Sequence, residues 1–117
     1  MADPLTSVLD PLATIGRPAA IKVTTDATVD DFDYIFQAPA KLRAMSLDGK
    51  GTFGSGTLSL QGGNNGTDFY ALPTAVSMTA DGIASVALAD LGYRFYRIHF
   101  TGSTNPTLTA IVTLNLG

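Results

Sequence analysis

Apolar and polar residues alternate most clearly at the end of the chain. Leu108, Ala110, Val112, Leu114 and Leu116 fall on every second position, and Thr107, Thr109, Thr113 and Asn115 occupy the positions between, interrupted only by Ile111. A period of two places successive side chains on opposite faces of an extended strand, so residues 107–116 are predicted as a half-buried β-strand. The same style recurs upstream. Residues 20–25 put Ile21 and Val23 on one face and Lys22 and Thr24 on the other. Residues 32–36 align Phe32, Tyr34 and Phe36, and residues 41–47 oppose Leu42, Ala44 and Ser46 to Arg43, Met45 and Leu47. Residues 57–61 turn Leu58 and Leu60 inward, and residues 67–72 and 93–101 read as two more strands.

Turn residues punctuate these runs. Asp48-Gly49-Lys50-Gly51 reads as a turn by composition, and Gly62-Gly63-Asn64-Asn65-Gly66 as a hairpin loop. Gly and Asn tolerate the positive φ that tight hairpins need. Residues 75–79 and 83–88 are predicted to pair across Ala80-Asp81-Gly82, and Gly102-Ser103-Thr104-Asn105-Pro106 leads into the last strand. Eight or nine short strands with such turns predict an all-β domain. It is an antiparallel β-sandwich or closed barrel, with a jelly roll as one member of the class.

Residues 1–18 lack this alternation and read as an extended N-terminal arm, leaving 19–117 as the sandwich domain. Pro4, Pro11 and Pro18 bias the residues before them toward extended backbone. The arm carries Leu5, Val8, Leu9, Leu12 and Ile15, which it cannot bury alone. They fold back onto the domain or pack on a neighbouring chain, and residues 5–9 also allow a short helical turn.

Composition narrows the function. The 117 residues suit a single domain with one core. Charged residues make up 15% against roughly 25% in an average soluble domain. A surface built instead from Thr, Ser, Asn and Gly suits packing against other protein. The net charge of −3 argues against a nucleic-acid groove. With no Cys, disulfides, thiol nucleophiles and zinc–thiolate sites are excluded. No apolar run approaches the ~20 residues of a membrane-spanning helix, and the N-terminus lacks the pattern of a secretion signal. The chain is therefore compatible with folding in a reducing cytoplasm, and no membrane partner is expected.

Candidate chemistry is sparse. His99 is the one histidine and shares a strand face with Phe95 and Arg97, opposite Ile98 and Phe100. Catalysis there would need a carboxylate such as Asp90 and a nucleophile brought close by the fold. Asp26, Asp30, Asp31 and Asp33 crowd one loop, but without the Gly and Glu of a calcium loop they read as turn residues. Gly49, Gly51, Gly54 and Gly56 lack the following Lys-Ser/Thr and helix of a phosphate loop. Arg94 and Arg97 interleave with Tyr93, Phe95 and Tyr96. A sugar-stacking platform is one reading of this cluster. A subunit interface is the stronger, because Arg and Tyr are favoured there. No cofactor is expected.

Residues 57–72 carry a more particular pattern. A strand ends in Leu60-Gln61-Gly62, and Asn64-Asn65-Gly66-Thr67 and the aromatic Phe69 follow. This segment resembles small virion proteins of tailed bacteriophages. So do Tyr93-Arg94-Phe95-Tyr96-Arg97-Ile98 and the Thr-rich final strand, and the resemblance covers residues 51–117. It implies a β-sandwich, often a jelly roll, that decorates or cements the outer surface of a capsid. It also implies homotrimers on lattice axes, arms reaching to neighbours, the major capsid protein as partner, and no active site. Contact residues are then expected in the arm at Leu5, Val8, Leu9, Leu12 and Ile15, and in the domain at Arg94, Tyr96 and Arg97. A carbohydrate- or receptor-binding module of a tail fibre is the alternative, with Tyr93 and Tyr96 as stacking rings. A small hydrolase using His99 is a third.

Overall fold

A computed structural model describes residues 5–8, 19–24, 31–39, 42–102 and 106–116. Among these residues nine strands follow in order: β1 Leu5–Val8, β2 Ala19–Thr24, β3 Phe32–Gln37, β4 Leu42–Thr52, β5 Thr57–Gly63, β6 Tyr70–Met78, β7 Gly82–Ser85, β8 Phe95–Thr101 and β9 Thr107–Leu116. A single turn of 3₁₀ helix, Leu88–Asp90, precedes β8. The strands form two antiparallel sheets, one of five in the order β1-β2-β9-β4-β7 and one of four in the order β3-β8-β5-β6. That alternation of strands between two sheets is a jelly roll, so the expected fold class holds.

The inner faces make one core. Val23, Leu47, Leu58, Leu60, Ile98, Phe100, Leu108, Ala110 and Val112 are buried, each at the alternate positions of its strand. Burying side chains of this size contributes roughly 1.5–3 kcal/mol apiece. Aromatic rings pack within the core: Phe100 lies 5.6 Å from Phe32 and 6.1 Å from Phe53, and Phe36 lies 5.9 Å from Tyr96.

Two sequence expectations fail against this topology. The expected turn at residues 48–51 is strand: Asp48, Gly49, Lys50 and Gly51 pair with Ile111, Ala110, Thr109 and Leu108 of β9. Glycine serves packing there. A Cβ on Gly49 would come 2.7 Å from Met78 Sδ, and one on Gly51, whose φ is 125°, would come 2.1 Å from the Thr107 carbonyl oxygen. The chain instead turns at Gly54 and Ser55, both with positive φ, where Gly56 N–H donates to the Phe53 carbonyl at 2.9 Å.

The second failure is the expected hairpin across residues 80–82. β6 and β7 lie in different sheets, so Asp81-Gly82 carries the chain over the edge of the sandwich. Of the alternatives open for the N-terminal arm, Leu5–Val8 takes the one that folds back onto the domain, as the extended strand β1 that pairs Leu5 with Thr24 and Val8 with Ile21. An extended segment next to the open edge of β2 satisfies its backbone groups by joining that edge. Leu9, Leu12 and Ile15 lie outside the described residues.

Candidate functional site

The outer face of the four-stranded sheet gathers most of the polar chemistry. Its register sets Asp33 beside His99, His99 beside Ser59, and Ser59 beside Ser77, while one step along Ile35 faces Arg97 and Arg97 faces Gln61. Alternation makes these rows. Tyr96, Ile98 and Phe100 of β8 point inward, so Arg97 and His99 point out, as predicted from sequence.

Arg97 organises this face. Its Nε donates to Gln61 Oε1 at 2.8 Å, and Nη2 donates to the same oxygen. Nη1 lies 3.7 Å from Asp33 Oδ2, and the guanidinium stands 5.0 Å over the Phe69 ring. His99 Nδ1 contacts Asp33 Oδ1. Ion pairs this exposed contribute about 1 kcal/mol or less, so the cluster fixes side-chain geometry more than it holds the fold. Beside it, Ile35 leaves 46% of its surface in water on β3, an edge strand of the sheet. Arg94 is exposed at the end of β8 and lies 5.8 Å over the Phe95 ring.

Asp33, His99 and Ser59 stand in one row, but the Ser59 hydroxyl donates to the His99 backbone carbonyl at 3.5 Å rather than to the ring. The carboxylate–imidazole pair therefore forms with Asp33 instead of the Asp90 considered from sequence. Among the described residues, no three His, Asp, Glu or Cys side chains come together as a metal site. Asp26 and Asp30 of the acidic loop lie outside the described residues.

Tyr96 corrects the expected contact set. It is fully buried, and its hydroxyl donates to the Asp90 carbonyl at 2.7 Å, so it cannot meet a partner or stack on a sugar. Its position two residues before Ile98 was the signal for an inward side chain; the flanking arginines belong to the other face. Asp90 is buried too, and its Oδ2 accepts from Thr74 N–H at 3.0 Å. That bond ties down a β6 segment that bulges between the pairs Leu60–Val76 and Gln61–Ala71.

Burial pushes the Tyr96 phenol above its ordinary value of 10.0. The folded state thus keeps this proton to higher pH than the unfolded chain does. Stability is level below the unfolded value and falls as pH rises through about 10 toward the raised folded value. Tyr96→Phe is expected to lose about 1–3 kcal/mol at neutral pH, because the Asp90 carbonyl is left unsatisfied. It should also lose Tyr96's share of the alkaline decline. Urea midpoints between about pH 8 and about pH 11 check both.

A cleft of about 410 Å³ lies beside the β5–β6 hairpin, between Tyr70, Tyr93 and the loop residues Asn64, Asn65 and Asp68. Asn65 holds that loop. Its Oδ1 accepts from the N–H groups of Thr67 and Asp68 at 2.9 and 2.8 Å, and its Nδ2 donates to Asp68 Oδ2 at 2.9 Å. Asn64 Oδ1 accepts from Arg94 N–H at 3.1 Å.

Strand order and core define the class of protein as a jelly-roll β-sandwich. No protein-family model and no curated protein sequence matches the chain. Among solved structures it is similar to the SPBc2 prophage-derived protein YomS, with a TM-score of 0.62 and 12% identity over 89% of this chain and 100% of that one. Looser likenesses reach the family 11 carbohydrate-binding module of Clostridium thermocellum, at TM-score 0.47 and 13% identity over 98% of this chain and 84% of that one. The cupin domain of Schizosaccharomyces pombe Cnp3 follows at TM-score 0.46 and 12% identity, over 96% of this chain and 61% of that one. At these identities the likeness is one of fold.

Proposed function

We propose that this chain is a non-enzymatic virion protein of a tailed bacteriophage that decorates the outer surface of the capsid. The observation that carries the reading is the outer face of the four-stranded sheet, where Ile35 stands exposed on an edge strand beside Arg97. An open sheet edge that also presents an apolar side chain offers a surface for association. Arginine with neighbouring aromatic residues is the composition of protein–protein contacts. The similarity in fold to a prophage-derived protein supports the setting. So does the resemblance of residues 51–117 to small phage virion proteins.

In this reading Arg94 and Arg97 of the domain, with Leu9, Leu12 and Ile15 of the N-terminal segment, contact the major capsid protein or a second copy of the chain. Leu5 and Val8 contribute through β1, which lengthens the five-stranded sheet. Homotrimers on the lattice would multiply a modest contact by avidity. The copy number of this chain in purified particles tests the proposal. Copies comparable with the major capsid protein are expected. A handful of copies, or none, overturns it.

A further inference from the structure

We infer that the cleft beside the β5–β6 hairpin binds a neutral saccharide, at a site whose lining does not include Arg97, Asp33 or His99 of the outer face. Its volume of about 410 Å³ falls within the roughly 300–1,000 Å³ range of small-molecule sites. The lining includes no Lys and no Arg, and Asp68 is its one charged side chain. That composition disfavours phosphates and acidic sugars. A single carboxylate already bonded to Asn65 is also a poor cation site.

What the lining does offer is ring faces and planar polar groups. Tyr70 leaves 69% of its surface in water, a large cost in exposed apolar area for a residue paired in a strand. It is the ladder partner of Gly62, and the Tyr93 ring lies over that glycine: a Cβ on Gly62 would come 2.9 Å from Tyr93 Cδ2. Tyr93 is held from behind by Tyr96, ring centroids 6.2 Å apart and nearly perpendicular. The Tyr93 ring therefore stands on a rigid base. A pyranose presents an apolar C–H face that such a ring covers, and a rim of hydroxyls that needs paired donors and acceptors.

Asn64 and Asp68 supply that rim. Arg94 N–H fixes the Asn64 side chain through its oxygen, and its NH₂ has no other partner among the described residues. Asp68 uses Oδ2 for Asn65 and keeps Oδ1 as an acceptor. Both groups are set before any ligand arrives, which reduces the ordering cost of binding. A mono- or disaccharide fits this combination; an apolar ligand would leave the amide and carboxylate unpaired.

The test is amide NMR of the full chain titrated with glucose, galactose, N-acetylglucosamine, maltose, lactose and chitobiose. At least one is expected to give saturable shifts at residues 63–70 with an affinity of about 1 mM. Tyr70→Ala should weaken that binding about tenfold or more, while Tyr70→Phe, which keeps the ring, should retain it. Thermal melts should show both variants folded, because Tyr70 is exposed. The proposal is overturned if no sugar in the panel gives saturable shifts up to about 10 mM, or if Tyr70→Ala binds as well as the parent.

Discussion

Phe100→Ala is expected to destabilise this domain by about 3–5 kcal/mol, roughly a fifth or more of the stability that a domain of this size possesses. The ring is fully buried in β8, and β8 is flanked by strands on both sides, with Phe32 and Leu58 as Phe100's register partners. It meets Phe32 from the same sheet and Phe53 from the segment that leaves β4 for the other sheet. Truncation would open a void between layers whose backbones are fixed by their hydrogen-bonded ladders. The surroundings could collapse only partly, and the cavity cost adds to the lost transfer energy. Urea unfolding should show a lower midpoint at unchanged slope. Phe100→Leu should recover much of the loss, and Thr101→Ala, at the exposed next position, should stay within about 0.5 kcal/mol of the parent. A loss below about 1 kcal/mol in Phe100→Ala would mean that the ring is not where the two sheets meet.

The positions that fix this core were legible because a period of two needs only local sequence. β9, β8, β5 and β3 follow the alternation, and it placed Ile98 and Phe100 inward with Arg97 and His99 outward. Tyr96 obeys the same rule. Reading the residue by its arginine neighbours rather than its phase moved it wrongly to the surface. The remaining misses are long-range. Residues 48–51 have turn composition, but β9 offers ten residues of ladder and the longer pairing wins. Asp81-Gly82 turns the chain as predicted, yet which sheet receives β7 depends on the free edge of β4, which lies some thirty positions away in sequence (Asp81 Oδ1 accepts from Gly51 N–H at 2.9 Å). The Asp33–His99 contact spans 66 positions. No spacing rule reports a pair made by two strands meeting side by side. The cleft was hidden for the same reason: Tyr70, Tyr93 and Asn64 come together only when β5 pairs with β6 and the β8 approach folds over Gly62.

Replacing the exposed pair on the sheet's outer face should separate folding from attachment. The double variant Ile35→Asp, Arg97→Ala is expected to weaken binding to particles stripped of this chain by about 30-fold or more, the equivalent of one contact of about 2 kcal/mol. Its unfolding midpoint should change little. Ile35 is half exposed, and the Arg97–Asp33 pair has its side chains 21% and 46% exposed, where screening leaves ion pairs worth little. Co-sedimentation with stripped particles measures the first quantity and urea unfolding the second. The segment at Leu9, Leu12 and Ile15 makes a competing claim on the same attachment, so Leu12→Asp belongs in the same series. Loss in the double variant alone places the contact on the sheet, and loss in Leu12→Asp alone places it in the segment. If the contact is shared, both variants lose affinity, and in a trimer the losses compound because each capsid site is held through several copies at once. Wild-type binding by both variants would overturn the assignment of the capsid contact to this sheet face and to the N-terminal segment.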